Sequence, residues 1–134
     1  MEIHQLQREQ IAIIAKKFGL SLVLLFGSAA RNQMHAQSDI DIAYLANKPL
    51  DLQTLLSLNQ DLQEVLGSSQ HPIDLVDASN APPLLSRLII DDAIVLFGSP
   101  TDEDAFHRLA NKRFIDAKPL FTATHNYIYE RLAL

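Results

Sequence analysis

The sequence contains no cysteine, so disulfide bonds, thiolate zinc sites and cysteine nucleophiles are excluded, and a reducing compartment suits the chain. Long apolar runs are also missing. The longest, from Leu22 to Phe26, is far shorter than the about 20 residues that cross a bilayer. The first residues lack the basic and apolar segments of a signal peptide. These absences predict a cytoplasmic protein that does not contact a membrane.

Positive charge is scarce as well, because 11 Lys and Arg residues face 16 Asp and Glu residues, for a net charge of −5. No basic cluster is dense enough to follow a phosphate backbone, so a direct nucleic-acid partner is disfavoured. The five histidines are scattered and form no H-E-x-x-H motif, which predicts surface or packing roles for them. A nucleotide substrate is not excluded, because bound Mg²⁺ neutralises triphosphate charge.

The chain of 134 residues, 48% of them hydrophobic, has the size and composition of one folded domain covering residues 1–134. Hydrophobic periodicity predicts helices and strands in alternation. The helices are expected over residues 2–18, briefly from 28, from 51 to 67, from the prolines at 82 and 83, and from 101; the strands over 22–26, 39–44, 72–76 and 93–97. This order predicts an α/β (α+β) domain with a small mixed sheet covered by helices.

Two features are expected in the last third of the chain. Thr101-Asp102-Glu103-Asp104 resembles a capping box that begins the final helix, and Pro119 is expected to kink or interrupt that helix. The apolar and aromatic segment 119–134 then either packs on the domain or binds a partner.

The segment most informative about function combines Gly27-Ser28 with Asp39-Ile40-Asp41, separated by residues 29 to 38. A glycine at a strand-to-helix turn lets the backbone approach a phosphate, and the helix start offers free N–H donors. Ser28 adds a hydroxyl donor. Ser38 is predicted to be a turn partner before the strand, with a phosphate contact as the alternative.

Asp39 and Asp41 alternate with Ile40 on a predicted strand, so their side chains should share one face. Asp74 alternates in the same way on a later strand. Carboxylates on a rigid face suit two Mg²⁺ ions that clamp an in-line phosphoryl displacement. We hypothesise that Asp74 binds metal and accepts the proton of an acceptor hydroxyl. Asp77 is the weaker candidate, because it stands at the end of its strand.

The sequence contains a second Gly-Ser pair, Gly98-Ser99, which serves as an internal control. Pro100 follows it, and the position corresponding to Asp39 at the same interval is Ala110. This copy is predicted to be only a turn.

Taken together, Gly27, Ser28, Asp39, Asp41 and Asp74 resemble the signature of the polymerase-beta-type nucleotidyltransferase superfamily. The short length is similar to its minimal nucleotidyltransferase branch, the MntA-type antitoxins paired with HEPN ribonuclease toxins. The resemblance implies ATP and Mg²⁺ as cofactors, and a tyrosine hydroxyl of a HEPN toxin as the acceptor of AMP, within a hetero-oligomer. Arg31 matches a basic position that often follows the Gly-Ser pair, and a phosphate contact is implied for it.

Two other functions remain open at this point. One is an antitoxin that neutralises its partner by binding alone, without catalysis. The other is a nucleotidyltransferase acting on a small molecule such as an aminoglycoside. The latter is disfavoured because the chain has no room for a substrate domain, although a dimer would be able to build such a pocket.

Overall fold

The computed structural model describes the backbone of residues 1–132 and the side chains of residues 1–120. Within that range helices and strands alternate, as the sequence predicts. The elements are α1 (Gln5–Lys17), β1 (Leu20–Phe26), α2 (Gly27–Ala30), β2 (Ile40–Ala46), α3 (Leu52–Leu66), β3 (Ile73–Asp77), a 3-10 turn (Ala78–Asn80), α4 (Pro83–Asp92), β4 (Ile94–Gly98) and α5 (Pro100–Leu132).

The four strands form one mixed sheet in the order β3-β2-β1-β4. β1 pairs antiparallel with both of its neighbours, and β2 pairs parallel with β3. Because parallel strands need a crossover, α3 connects β2 to β3. The prediction of an α/β domain with a small mixed sheet covered by helices is therefore confirmed.

The first face of the sheet packs against α1 and α3. Its core combines strand residues such as Val23, Leu25 and Ile42 with Ile11 of α1 and Leu62 of α3, all of them buried. Isoleucine and leucine at helical spacing supply each helix with one apolar stripe. This face is closed and apolar.

The second face of the sheet packs against α4 and α5. Leu22 and Leu24 of β1 lie against Ile89 of α4 and Phe106 of α5. β1 is thus buried on both faces, as its continuous apolar run predicts. On β2 this face begins with Asp41 and continues with buried Ala43, so the acidic side chain lies near the start of an inner strand, at one end of this helix-covered face.

The last helix begins differently from the expectation, and it is not interrupted at Pro119. The N-terminal cap of α5 is Ser99 rather than Thr101, since the Ser99 hydroxyl accepts a hydrogen bond from the Asp102 amide at 3.1 Å. β4 ends at Gly98, which leaves Ser99 as the first residue able to cap the helix. The helix also continues past Pro119 to Leu132 without interruption. The side chains of the segment 121–134 lie outside the described residues, so its predicted packing or partner-binding role stays a prediction.

Within the described part of the chain, no helix combines the length and the apolar character needed to cross a membrane.

Candidate functional site

The turn at Gly27 joins β1 directly to α2, and its backbone requires glycine for two reasons. Its φ of +72° lies in the left-handed region that other residues rarely adopt. A side chain there would also collide with Asp41, because its Cβ would lie 3.1 Å from Cγ of Asp41 and closer still to Oδ2. The absence of a side chain at residue 27 thus leaves the space that the Asp41 carboxylate occupies.

Asp41 and Asp74 are brought together by the register of the sheet. They are direct partners in the parallel pairing of β2 with β3, and across β1 Asp41 pairs with Phe26, the residue before Gly27. Asp39 precedes β2, which begins at Ile40 rather than at residue 39, and its side chain is exposed. Two of the predicted acids therefore lie on adjacent strands, and the third lies just outside the strand.

The electrostatics of this acidic group are unfavourable for charge on Asp41. Burial, and after it the neighbouring carboxylates of Asp74 and Asp39, together raise the pKa of Asp41 to about 6, while the Arg31 guanidinium opposes them. Asp74 also lies within hydrogen-bonding reach of Asp41. Like-charged carboxylates in this arrangement favour a bound proton or a bound cation.

A cavity of about 310 Å³ opens in front of the Gly27 turn. Its walls are formed by residues of β1, α2, β2 and α4: Phe26, Gly27, Ser28, Arg31, Asp41, Leu88 and Asp92. Four of the sequence-predicted site residues, including Ser28 and Arg31, therefore share one cavity. This cavity has the concave shape and the polar groups expected of a small-ligand site.

Arg31 is held at the cavity wall by an acid that the sequence did not indicate. Its Nη1 atom donates to Asp92 Oδ2 at 2.5 Å, and its Nε atom donates to Gln33 at 3.2 Å. The Asp92 side chain is only 14% exposed, so this ion pair is partly shielded from solvent. Asp92 ends α4, far from Arg31 in sequence, and no local motif points to it.

Ser38 lies outside the residues that line this cavity. It is buried, its hydroxyl accepts the His35 amide at 2.9 Å, and its carbonyl oxygen lies 2.8 Å from Nδ1 of His71. These contacts tie the turn before β2 to the loop before β3. The geometry favours the turn role of Ser38 over the phosphate contact.

The acids fit a divalent cation in part. Oxygen ligands from Asp41 and Asp74 have the chemistry that Mg²⁺ prefers, and their mutual repulsion is relieved by a cation. However, as the side chains stand, the described residues contain no group of three His, Cys, Asp or Glu residues arranged to hold a metal ion. The structure therefore supplies a carboxylate pair, and Asp39 would have to turn toward it to complete a three-ligand site.

A family comparison agrees with this arrangement. The model of the family described as Polymerase beta, Nucleotidyltransferase matches residues 9–106, a range that runs from α1 to the start of α5 and contains the Gly27 turn and all three acids. The chain therefore belongs to the polymerase beta nucleotidyltransferase family, as the motif predicts.

The chain is also similar to individual proteins of this family. Protein adenylyltransferase MntA of Shewanella oneidensis is 37% identical over 65% of this chain, and the match spans 60% of the length of that relative. A chain in the crystal structure of a toxin–antitoxin pair with AMP-PNP is 29% identical, with a TM-score of 0.69 over 95% of this chain and 98% of that chain. A chain in the structure of tri-AMPylated Shewanella oneidensis HEPN toxin with MNT antitoxin is 28% identical, with a TM-score of 0.66 over 98% and 100%.

Proposed function

We propose that this chain is an antitoxin that transfers AMP from ATP to a tyrosine hydroxyl of a cognate HEPN ribonuclease toxin and so neutralises it, acting within a hetero-oligomer. The observation that carries the proposal is the position of the Asp41–Asp74 pair beside the Gly27 turn. It is supported by the similarity to an MntA adenylyltransferase and to chains from toxin–antitoxin structures, one with AMP-PNP and one with an AMPylated toxin.

The transfer forms a bond between the acceptor oxygen and the α-phosphorus of ATP. The bond from that phosphorus to the α–β bridging oxygen breaks, and pyrophosphate leaves. Asp74 takes the hydroxyl proton, since its carboxylate is exposed and lies beside Asp41, where an acceptor and solvent both reach it. It then releases the proton to solvent.

The residues at and after the Gly27 turn are those that we assign to nucleotide binding. The positive φ of Gly27 brings the backbone close to the acids, and Ser28 offers a hydroxyl donor in the same cavity. Arg31 supplies a guanidinium at the wall, where its fork of N–H groups suits a phosphate. We assign these three residues to triphosphate binding and Ser38 to the turn that positions β2.

Asp41 and Asp74, joined by Asp39, are the residues that would hold Mg²⁺, with two ions in the arrangement that the family resemblance implies. When bound there, Mg²⁺ would supply Lewis-acid chemistry and neutralise phosphate charge. Asp39 is exposed and precedes the regular strand, so its carboxylate has room to turn toward the pair.

A transfer assay tests the proposal. The chain is incubated with α-labelled ATP, Mg²⁺ and the protein product of the reading frame that adjoins its own, and compared with the double variant Asp39→Asn/Asp41→Asn. We expect label on the partner with the wild type and none with the variant. The same assay with EDTA in place of Mg²⁺ should also leave the partner unlabelled.

The alternatives give different results in the same experiment. A partner that stays unlabelled but loses ribonuclease activity in the presence of either chain would indicate neutralisation by binding alone. If the partner is neither labelled nor inhibited, the protein-adenylylation proposal is wrong, and small-molecule acceptors become the class to screen.

A further inference from the structure

The cavity at the Gly27 turn contains a second carboxylate that the proposed chemistry does not use. Asp92, the last residue of α4, lines this cavity together with Asp41 and Arg31. A carboxylate beside a triphosphate repels it, so an acid in this cavity weakens nucleotide binding unless it has a compensating role. The Asp92 side chain is 14% exposed, and its Oδ2 atom accepts a hydrogen bond from Nη1 of Arg31 at 2.5 Å. Asp92 is therefore tied to a residue that we assign to the phosphates.

We propose that Asp92 is a positioning residue for ATP, which holds the Arg31 guanidinium against the cavity wall so that the phosphates meet a cation already in place. The inference deepens the proposed function and rests on the nucleotide-binding part of it. Arg31 needs such a hold, because it follows α2, a helix of only four residues, and its side chain is 45% exposed. A free arginine loses rotamer freedom when it binds a ligand, whereas an anchored one has lost that freedom beforehand.

The packing of α4 makes Asp92 a rigid anchor. Ile89 stands three residues before Asp92, on the same face of the helix, and is fully buried against the sheet. Ser86 lies one turn earlier, is also fully buried, and donates from its hydroxyl to a backbone carbonyl oxygen at 3.1 Å. Gln33, the other partner of Arg31, is exposed and lies in the loop after α2. Asp92 is thus the partner that is able to fix the position of the guanidinium.

The ion pair leaves part of the guanidinium for a ligand. Asp92 accepts from Nη1 of Arg31 and Gln33 accepts from Nε, whereas Nη2 makes no hydrogen bond to any residue whose side chain the structure describes. The two N–H groups of Nη2 suit phosphate oxygens. Asp41 is the other acid of this cavity, and the Arg31 guanidinium already acts on it by opposing the rise in its pKa. By holding Nη1, Asp92 keeps Arg31 from pairing with Asp41 in place of a phosphate.

Calorimetric titration with AMP-PNP and Mg²⁺ tests this role, and the neighbouring residue supplies a matched control. Asp91 lies on the same helix but outside the cavity lining, and it pairs with Arg87 at 3.2 Å in an exposed i,i+4 ion pair. Asp92→Asn should raise the Kd for AMP-PNP about fivefold, because Arg31 is no longer held. Asp91→Asn should leave the Kd as in the wild type. A carboxylate that only repelled the phosphates would give tighter binding when neutralised, so an unchanged or lower Kd in Asp92→Asn would overturn the proposal.

The variant Arg31→Gln shows whether Asp92 acts through Arg31. In this background, adding Asp92→Asn should not weaken AMP-PNP binding further, because the guanidinium that Asp92 holds is absent. A further loss of similar size would mean that Asp92 acts independently of Arg31, and the positioning role would be wrong. The titrations also report stoichiometry separately from affinity. If loss of the ion pair merely unfolds part of the protein, the stoichiometry falls while the Kd of the folded fraction stays unchanged, which equally contradicts the proposal.

Failure of the proposed function has a different signature in these experiments. If the wild type binds no AMP-PNP, the nucleotidyltransferase proposal fails, and the role of Asp92 fails with it. If the wild type binds AMP-PNP with an affinity that depends on Asp92 but transfers no AMP to its partner, Asp92 keeps its positioning role and only the proposed acceptor is wrong.

Discussion

The chain contains two Phe-Gly-Ser turns that share the same three residues but have different neighbours in the fold. Gly27-Ser28 ends β1 and Gly98-Ser99 ends β4, the antiparallel neighbour of β1, and a helix follows each pair. Both glycines have positive φ, +72° and +140°. The first turn faces the carboxylate of Asp41. The same three residues thus form a turn with a positive-φ glycine in both places, but only at the first turn does the glycine face a carboxylate from a neighbouring strand.

The neighbouring strand explains the difference. A Cβ at Gly98 would lie 2.5 Å from Cδ1 of Leu22, a buried core side chain, so the second turn is pressed against the core. β4 is an edge strand and β1 is not, so only β1 has β2 and its acid on the other side. Ser99 correspondingly serves its own helix as a cap. The proposed chemistry therefore depends on the acid-bearing strand β2 beside the first turn, and not on the Gly-Ser pair alone.

The largest expected effect comes from the acid that distinguishes the two turns. Asp41→Asn should lower kcat for AMP transfer about 1,000-fold, because it removes a carboxylate from the proposed metal site. Asp102→Asn is the control, since Asp102 accepts a hydrogen bond from Ser99 Oγ at the second turn. It should cost at most about 1 kcal/mol of stability and leave kcat unchanged. Comparable activity losses in the two variants would erase the distinction between the turns.

Alanine at the two glycines should separate activity from stability. In Gly27→Ala the new Cβ displaces the Asp41 carboxylate, so we expect about a 100-fold loss of kcat/KM, with about 1 to 2 kcal/mol lost from the strained φ. In Gly98→Ala the strain and the contact with Leu22 should cost about 2 to 4 kcal/mol while the folded fraction keeps its activity. Urea denaturation and initial-rate assays at low temperature measure both. The comparison breaks if Gly98→Ala inactivates folded protein.

Alanine at the two serines should show a smaller contrast of the same kind. Ser28→Ala should weaken ATP binding about tenfold, because a hydrogen bond to a charged phosphate is lost. Ser99→Ala should leave ATP affinity unchanged and destabilise the protein by about 1 kcal/mol through loss of the helix cap. Calorimetric titration with AMP-PNP and thermal melts provide the two readouts, and identical ATP affinities for both variants would return Ser28 to a structural role.

The smallest expected effect is a pH dependence of stability specific to the first turn. The folded-state pKa of Asp41, about 6, is higher than its ordinary value of 3.8, so the folded protein binds a proton more tightly than the unfolded chain. The resulting stabilisation is full below about pH 3.8 and is lost as the pH rises through about 6. In EDTA, the Tm of the wild type should therefore fall by roughly 3 to 6 °C relative to that of Asp41→Asn between these pH values. Adding Mg²⁺ at pH 7 should restore it. If the Tm of the wild type and that of Asp41→Asn change with pH in parallel, the raised pKa of Asp41 is contradicted.

The fold was accessible from the sequence to the extent that it depends on local pattern. The run Leu22 to Phe26 indicated a strand buried on both faces, and alternation around Ile40 and Ile42 indicated the face on which Asp41 lies. Alternation cannot supply register, however. That Asp74 lies opposite Asp41, rather than one step away, depends on the α3 crossover.

The failures have equally specific causes. Ser99 and Thr101 are both residue types that cap helices. Because β4 ends at Gly98, α5 begins directly after it and Ser99 is its cap, and the end of a strand is fixed by tertiary pairing rather than by local sequence. Of the two outcomes predicted for Pro119, a kink or an interruption, the structure contradicts only the interruption. The Arg31–Asp92 ion pair joins α2 to α4 across the cavity, and no spacing rule connects residues so far apart in sequence.

The two hydrogen bonds from α3 to Ile73 determine where Asp74 lies. Gln63 and Asn59 hold both backbone groups of the residue immediately before Asp74. This helix contributes no residue to the lining of the cavity at the Gly27 turn. The alignment of the proposed proton acceptor therefore depends on how α3 packs on the sheet, at a distance from the nucleotide cavity.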